Sequence, residues 1–201
     1  MTASITVILG FSCAGKSTFI KNLVTQDQNY AAKRPVYEFM FRSGEVERLE
    51  PGDIFHMDMS AVGVPVEESA FPLVEAHPLL DVCFSETTAT TVIVLVAPES
   101  VIRERILSRQ LIGIGFRRDD SMKAYPIDHK LKILNKCTLA KRYRQWFDFL
   151  DHKGIEYNIV RTDRKNYEAI SSPIEALSLI SEGDVSSSTR KVYGRERKNA
   201  K

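Results

Sequence analysis

The chain has 201 residues, 43% of them hydrophobic and 27% charged, with a formal net charge of +2. That composition is ordinary for one soluble globular domain with its own core. It excludes a membrane protein of the helical kind, since no apolar run approaches the roughly 20 residues a span needs. The start, Met-Thr-Ala-Ser, leads straight into a strand-like segment without a basic leader, so no secretory signal is expected. Three cysteines, Cys13, Cys83 and Cys137, match neither a disulfide framework nor a metal cluster and suit a reducing, cytoplasmic setting.

Along the chain, Ser4–Leu9 is a short β-branched apolar run and predicts a buried strand. A Gly-rich loop follows, and then a helix over Lys16–Gln26 with Phe19, Ile20, Leu23 and Val24 at helical spacing. Val36–Phe41 predicts a second strand ending at Ser43-Gly44, and Asp53–Met59 a third. Gly63, Pro65 and Pro72 break any long helix over 60–77, and Pro78 is placed to open a short helix through Phe84. Thr91–Ala97 is nearly all apolar, as a strand covered on both faces would be. Pro98 starts a helix to about Gln110, and residues 112–125 read as a loop. A single long helix is expected over Ile127–Lys153, stopped by Gly154. Glu156–Arg161 predicts a fifth strand, and the capping box Ser172-Pro173-Ile174-Glu175 opens a last helix to about Ser181. Strands alternating with helices predict an α/β fold, a doubly wound parallel sheet with helices on both faces over residues 1–183. The tail 184–201 carries six basic residues against Asp184 and Glu196. Such a tail is either a solvated terminus or a holder of an anionic partner such as nucleic acid.

Four features carry chemistry. The first is Gly10-Phe11-Ser12-Cys13-Ala14-Gly15-Lys16-Ser17-Thr18, a complete phosphate-binding pattern between an apolar strand and an amphipathic helix. In that pattern glycines let backbone N–H groups point at phosphate oxygens and the helix start adds partial positive charge. Lys16 reaches the β- and γ-phosphates, and the Ser17 hydroxyl ligates Mg²⁺. Cys13 and Thr18 act as spacers, with Thr18 also within reach of the α-phosphate. The second is Asp58, which closes an apolar strand expected beside the loop. Its carboxylate could hold a magnesium-bound water, accept the proton of an attacking hydroxyl, or cap the next turn. His56 shares its face and either contacts an acceptor, orients Asp58 or is structural. The third is the arginine set Arg103, Arg105, Arg109, Arg117 and Arg118, with Arg105 and Arg109 on one helix face. Cations closing over a γ-phosphate need such a source, although surface arginines are the plain reading. The fourth is Arg161–Lys165, where Asp163 is placed to touch a nucleotide or to form a polar turn.

With Gly10–Thr18, Asp58, the passage VIVLVAPESVIRERILSRQ and the arginine-rich segment behind it, the chain resembles P-loop kinases of nucleosides, nucleotides and small molecules. The resemblance implies a five-stranded parallel sheet in order 2-3-1-4-5 and an arginine-bearing lid after strand four. It implies ATP with Mg²⁺, Lys16 and Ser17 on phosphate and metal, Asp58 as metal holder or base, and Arg109, Arg117 and Arg118 in the lid. The chain lacks the Asp-Arg pair of thymidylate kinases and an adenylate-kinase lid signature, which leaves the acceptor open. The His-x-Asp ending of strand three is faintly similar to P-loop proteins encoded with bacterial surface-polysaccharide enzymes, a hint of a sugar hydroxyl. Arg42, His77, Tyr37 and Arg34 are candidate acceptor contacts.

The expected function is transfer of the γ-phosphate of Mg-ATP to a hydroxyl-bearing acceptor, a sugar or other small molecule. A nucleic-acid hydroxyl or modified base, held through the basic tail, is the alternative acceptor. A guanine-nucleotide switch fits poorly, because Asn135-Lys136-Cys137-Thr138 lacks the Asp of its base-reading motif and no Asp-x-x-Gly follows strand three. A sulfotransferase fits less well still, since its donor has no triphosphate chain.

Overall fold

The computed structural model describes residues 3–38, 40, 44–59, 71–72, 83–84, 88–112 and 127–182. Six strands form one sheet: β1 (Ala3–Gly10), β2 (Pro35–Tyr37), β3 (Ile54–Asp58), β4 (Thr88–Val96), β5 (Tyr157–Arg161) and β6 (Glu168–Ile170), in the order β2-β3-β1-β4-β5-β6. The first five are parallel to their neighbours. Their order is the one the resemblance implied. The sheet is nevertheless mixed and six-stranded rather than five-stranded and wholly parallel, because β6 runs antiparallel to β5 with Arg161 opposite Glu168. The connection between them spans only 162–167, too short for the crossover of a dozen or more residues that a parallel partner requires. With three residues, β6 is also too short to show a hydrophobic alternation.

The register decides where chemistry can sit. Gly10 lies opposite Asp58 on β3 and opposite Leu95 on β4, so the strand-closing residues of β1 and β3 meet at one edge of the sheet. Val92 to Val96 are all buried, which requires cover on both faces of β4. β4 starts at Thr88 rather than Thr91 because Ala3 pairs with Thr88. β2 ends at Tyr37 opposite His56, and Glu38 has already left the strand.

Six helices are described: α1 (Lys16–Gln26), α2 (Gln28–Ala31), α3 (Glu99–Ile112), α4 (Ile127–Lys136), α5 (Leu139–His152) and α6 (Pro173–Ser181). The single helix expected over 127–153 is two. Thr138 takes an extended conformation and its hydroxyl accepts from Lys141 N, which makes it the N-cap of α5. A second donor of that helix start, Leu139 N–H, is taken by the buried Glu99 carboxylate from α3, 3.1 Å away. The apolar spacing runs through the junction unbroken, so periodicity alone could not reveal it. α5 buries Tyr143, Trp146, Phe147 and Leu150, the largest aromatic contribution to the core. Half of the predicted capping box forms: Ser172 Oγ accepts from Glu175 N, while the Glu175 carboxylate accepts from Ser171 N and Ser171 Oγ rather than from Ser172 N. Among the described residues no helix is long and apolar enough to cross a membrane. The short helix expected over 78–84 lies outside the described residues except at 83–84, as does the tail 184–201.

Candidate functional site

β1 delivers the chain into the loop at Gly10, where the backbone is too close to its neighbours for a side chain. A Cβ there would stand 3.0 Å from Leu95 O and 3.2 Å from the Ala14 Cβ. Cys13 and Gly15 both take left-handed conformations, with φ of 68° and 92°. Glycine does this freely, whereas cysteine rarely does. The result is a curled backbone that hands over directly to α1. The start of α1 has no side-chain cap and no acidic residue in its first turn. By contrast, α2, α5 and α6 are capped by Asp27, Thr138 and Ser172. A helix start leaves four N–H groups without intrahelical partners, and together with the helix dipole these receive anions.

Three distant elements hold the loop from behind. Tyr143 of α5 accepts from Phe11 N at 3.1 Å and donates to Leu95 O at 2.6 Å. Burial pushes the Tyr143 phenol well above its ordinary pKa, which keeps it a donor. Thr162, just after β5, donates through Oγ1 to Ala14 O at 2.8 Å. Arg105 of α3 reaches Cys13 O at 3.3 Å and Thr162 O at 2.7 Å. Carbonyls of the curl thus point into the protein and are satisfied there. None of these three contacts was legible beforehand. The sequence pattern puts Arg105 on one helix face with Arg109, and the structure sets its side chain under the loop.

On the other flank stand the charged groups. Lys16 is buried, and its Nζ donates to Gly10 O and Phe11 O, both at 2.8 Å, while lying 3.7 Å from Asp58 Oδ2. Asp58 is partly exposed, with 22% of its side chain accessible, and its N–H donates to the buried Glu38 carboxylate at 3.2 Å. His56 Nε2 meets Ser17 Oγ at 3.4 Å, and its ring leans on Tyr37 with centroids 5.4 Å apart. Lys16, Ser17, His56 and Asp58 therefore converge as the strand register requires. Ser12, Ala14 and Thr18 lie on the same curl or helix start, Ser12 and Ala14 buried and Thr18 exposed. Among the described residues no group of three His, Cys, Asp or Glu side chains could cage a metal ion. Magnesium does not need one, since it keeps waters and substrate phosphates and takes one or two protein ligands.

Other expected residues lie elsewhere or outside the described set. Asp163 forms a two-pronged pair with Arg161 at 2.7 and 2.8 Å, and the guanidinium holds its carboxyl below the ordinary range. Arg103 pairs with Glu99 and Asn135, tying α3 to the end of α4. Arg34 binds Asp53 at 2.7 and 2.9 Å at the opening of β3, the end of that strand away from Asp58. Asp53 is thus a buried ion-pair partner rather than a plain turn residue. Arg109 falls on α3, but its side chain lies outside the described residues, as do Arg42, His77, Arg117 and Arg118. One further residue escaped sequence reading: Arg142 of α5 is only 8% exposed. Within Lys141-Arg142-Tyr143-Arg144 nothing marks it as the buried one.

No protein-family model matches the chain, and no curated protein matches it.

Proposed function

We propose that the chain is an ATP-dependent kinase, which transfers the γ-phosphate of Mg-ATP to a hydroxyl of a sugar or another small molecule. The observation that carries this reading is the uncapped start of α1 behind a curl with two left-handed residues, flanked by Lys16, Ser17 and Asp58. The donor set suits phosphate and Mg²⁺: backbone N–H groups, one ammonium, one hydroxyl and one carboxylate. Ser17 and Asp58 would hold the metal, which when bound screens phosphate charge and orients the transferring group.

In this reading the backbone of Ser12–Thr18 and the ammonium of Lys16 bind the phosphate chain. Lys16 exchanges its two carbonyl partners for phosphate oxygens and stays beside Asp58. The acceptor oxygen attacks the γ-phosphorus, the bond to the β-phosphate oxygen breaks, and ADP leaves. Asp58 either takes the hydroxyl proton as base or serves as the metal holder. Arg109, Arg117 and Arg118 are assigned the lid role on the sequence pattern alone. A guanine switch has little support, since Asn135–Thr138 forms the junction of α4 and α5 rather than a strand end.

Incubating the protein with Mg-ATP and a panel of hydroxylated sugars, nucleosides and oligonucleotides should give acceptor-dependent ADP, lost in Lys16→Met. Failure to bind Mg-ATP in equilibrium dialysis would end this reading whatever the acceptor.

A further inference from the structure

The N–H groups along β3 point alternately to its two neighbours. Beyond its end, Met59 N donates to Gly10 O of β1 at 3.1 Å; at its start, Ile54 N donates to Arg34 O, just before β2, at 2.9 Å. A parallel ladder advances two residues at a time on both strands. With Pro35 opposite Ile54 and Tyr37 opposite His56, the next carbonyl in line for Asp58 N–H is that of Glu38. Glu38, however, is already helical, and Asp58 N donates to its carboxylate, at 3.2 Å from Oε2. A side chain has taken over a ladder position from the backbone of the same residue.

This exchange lets the chain turn away after Tyr37 without releasing the end of β3. Asp58 is held from both sides, by the Glu38 carboxylate on one and by its register with Gly10 and the Met59–Gly10 bond on the other. Held so, it carries its own carboxylate 3.7 Å from Lys16 Nζ, with 22% of the side chain accessible. Glu38 is only 7% exposed, so water competes little for the bond it accepts. A carboxylate also accepts from a backbone N–H more strongly than a neutral carbonyl does, which suits one bond standing in for a continuing strand. Nothing in the spacing of Val36–Phe41 marks Glu38, because its partner lies 20 residues on.

We propose that Glu38 is a positioning residue of the phosphoryl-transfer site: by accepting the Asp58 N–H it sets how the Asp58 carboxylate faces Lys16 and the metal. This rests on the kinase reading. Two readouts need no identified acceptor. One is the affinity for Mn²⁺, standing in for Mg²⁺, at saturating ADP, followed by electron paramagnetic resonance. The other is slow phosphate release from Mg-ATP with water as the attacking group. Asp58→Ala should lower at least one of them, and Glu38→Leu should lower the same one about tenfold, as loss of a residue that orients a metal holder does. Glu38→Gln keeps an oxygen in place and should cost about threefold or less. In an Asp58→Ala background Glu38→Leu should change nothing further, because it acts only through Asp58. Thermal melting reports whether each variant folds; if Glu38→Leu does not, Glu38→Asp, one methylene short of the N–H, replaces it in the cycle. Losses that add in the double variant overturn the proposal, as do a Glu38→Gln as impaired as Glu38→Leu and an Asp58→Ala or Glu38→Leu that moves neither readout. Each of those results leaves the kinase reading standing. A wild type that neither takes Mn²⁺ with ADP nor cleaves Mg-ATP sinks both.

Discussion

The two flanks of the Gly10 end of β1 are built differently. Toward β4 and β5, hydroxyls, backbone groups and the Arg105 guanidinium meet at 2.6 to 3.3 Å, with Tyr143 on Phe11 and Leu95, Thr162 on Ala14, and Arg105 on Cys13 and Thr162. Toward β3 the groups are mostly ionisable; Lys16 keeps two 2.8 Å bonds to Gly10 O and Phe11 O, while its contact with Asp58 is 3.7 Å and that of Ser17 with His56 is 3.4 Å. Hydrogen bonds that satisfy the curl's backbone groups from inside the protein have no reason to open when a charged ligand arrives. Loose contacts between ionisable groups exchange partners readily, because a phosphate or a metal offers each of them a better one. One flank keeps the curl in shape, and the other is suited to chemistry.

Substitutions on each flank should therefore fail in different ways. The largest effect is expected for Lys16→Met, which should reduce acceptor-dependent ADP formation by about 10³-fold through lost charge stabilisation, with melting temperature little changed. A variant that keeps its activity would remove the chemical flank from the comparison. Tyr143→Phe should act on the other flank. It leaves Phe11 N–H and Leu95 C=O buried without their partner, so unfolding free energy should fall by about 2 kcal/mol in denaturant titrations. Thr162→Val should cost about 1 kcal/mol and weaken Mg-ATP binding, with Thr162→Ser restoring both. If Thr162→Val changes catalytic turnover but not nucleotide affinity, the division into a shaping and a reacting flank is wrong.

The smallest effect concerns pH. Arg161 holds the Asp163 carboxyl below its ordinary pKa, so the folded state binds fewer protons there than the unfolded chain. That contribution is fully present above the ordinary carboxylate value, about pH 4. It is lost as pH falls through the folded value. Asp163→Asn should flatten the acid limb of a stability-versus-pH curve and leave its neutral-to-alkaline limb unchanged. An unchanged acid limb would show that the Arg161–Asp163 pair contributes nothing.

Much of the ionisable flank is legible in the sequence, because its residues lie on elements with strong local signals. Lys16 and Ser17 follow from the loop pattern, and Asp58 from its place at the end of an apolar strand. Their meeting follows once β3 is set beside β1. The junction of α4 and α5 was not legible, since the cap at Thr138 is completed by Glu99, 40 residues away from the N–H it takes. β6 was not legible either, because three residues give no period to read and its pairing follows from the short connection before it.

By itself the sequence determined the strand, curl and helix around Gly10–Thr18, since those conformations depend on neighbours within a turn or two and on glycine where a side chain cannot fit. It also determined which ionisable groups close β3. Only the tertiary structure decided what stands behind the curl and which charges stay buried. Tyr143 lies 132 residues from Phe11, Thr162 148 from Ala14 and Arg105 92 from Cys13. Such contacts arise when crossover connections bring strand ends and helix faces together, so they leave no spacing in the chain. The buried Arg142 belongs with them: its type is written in the sequence, and its burial is a property of the packed molecule.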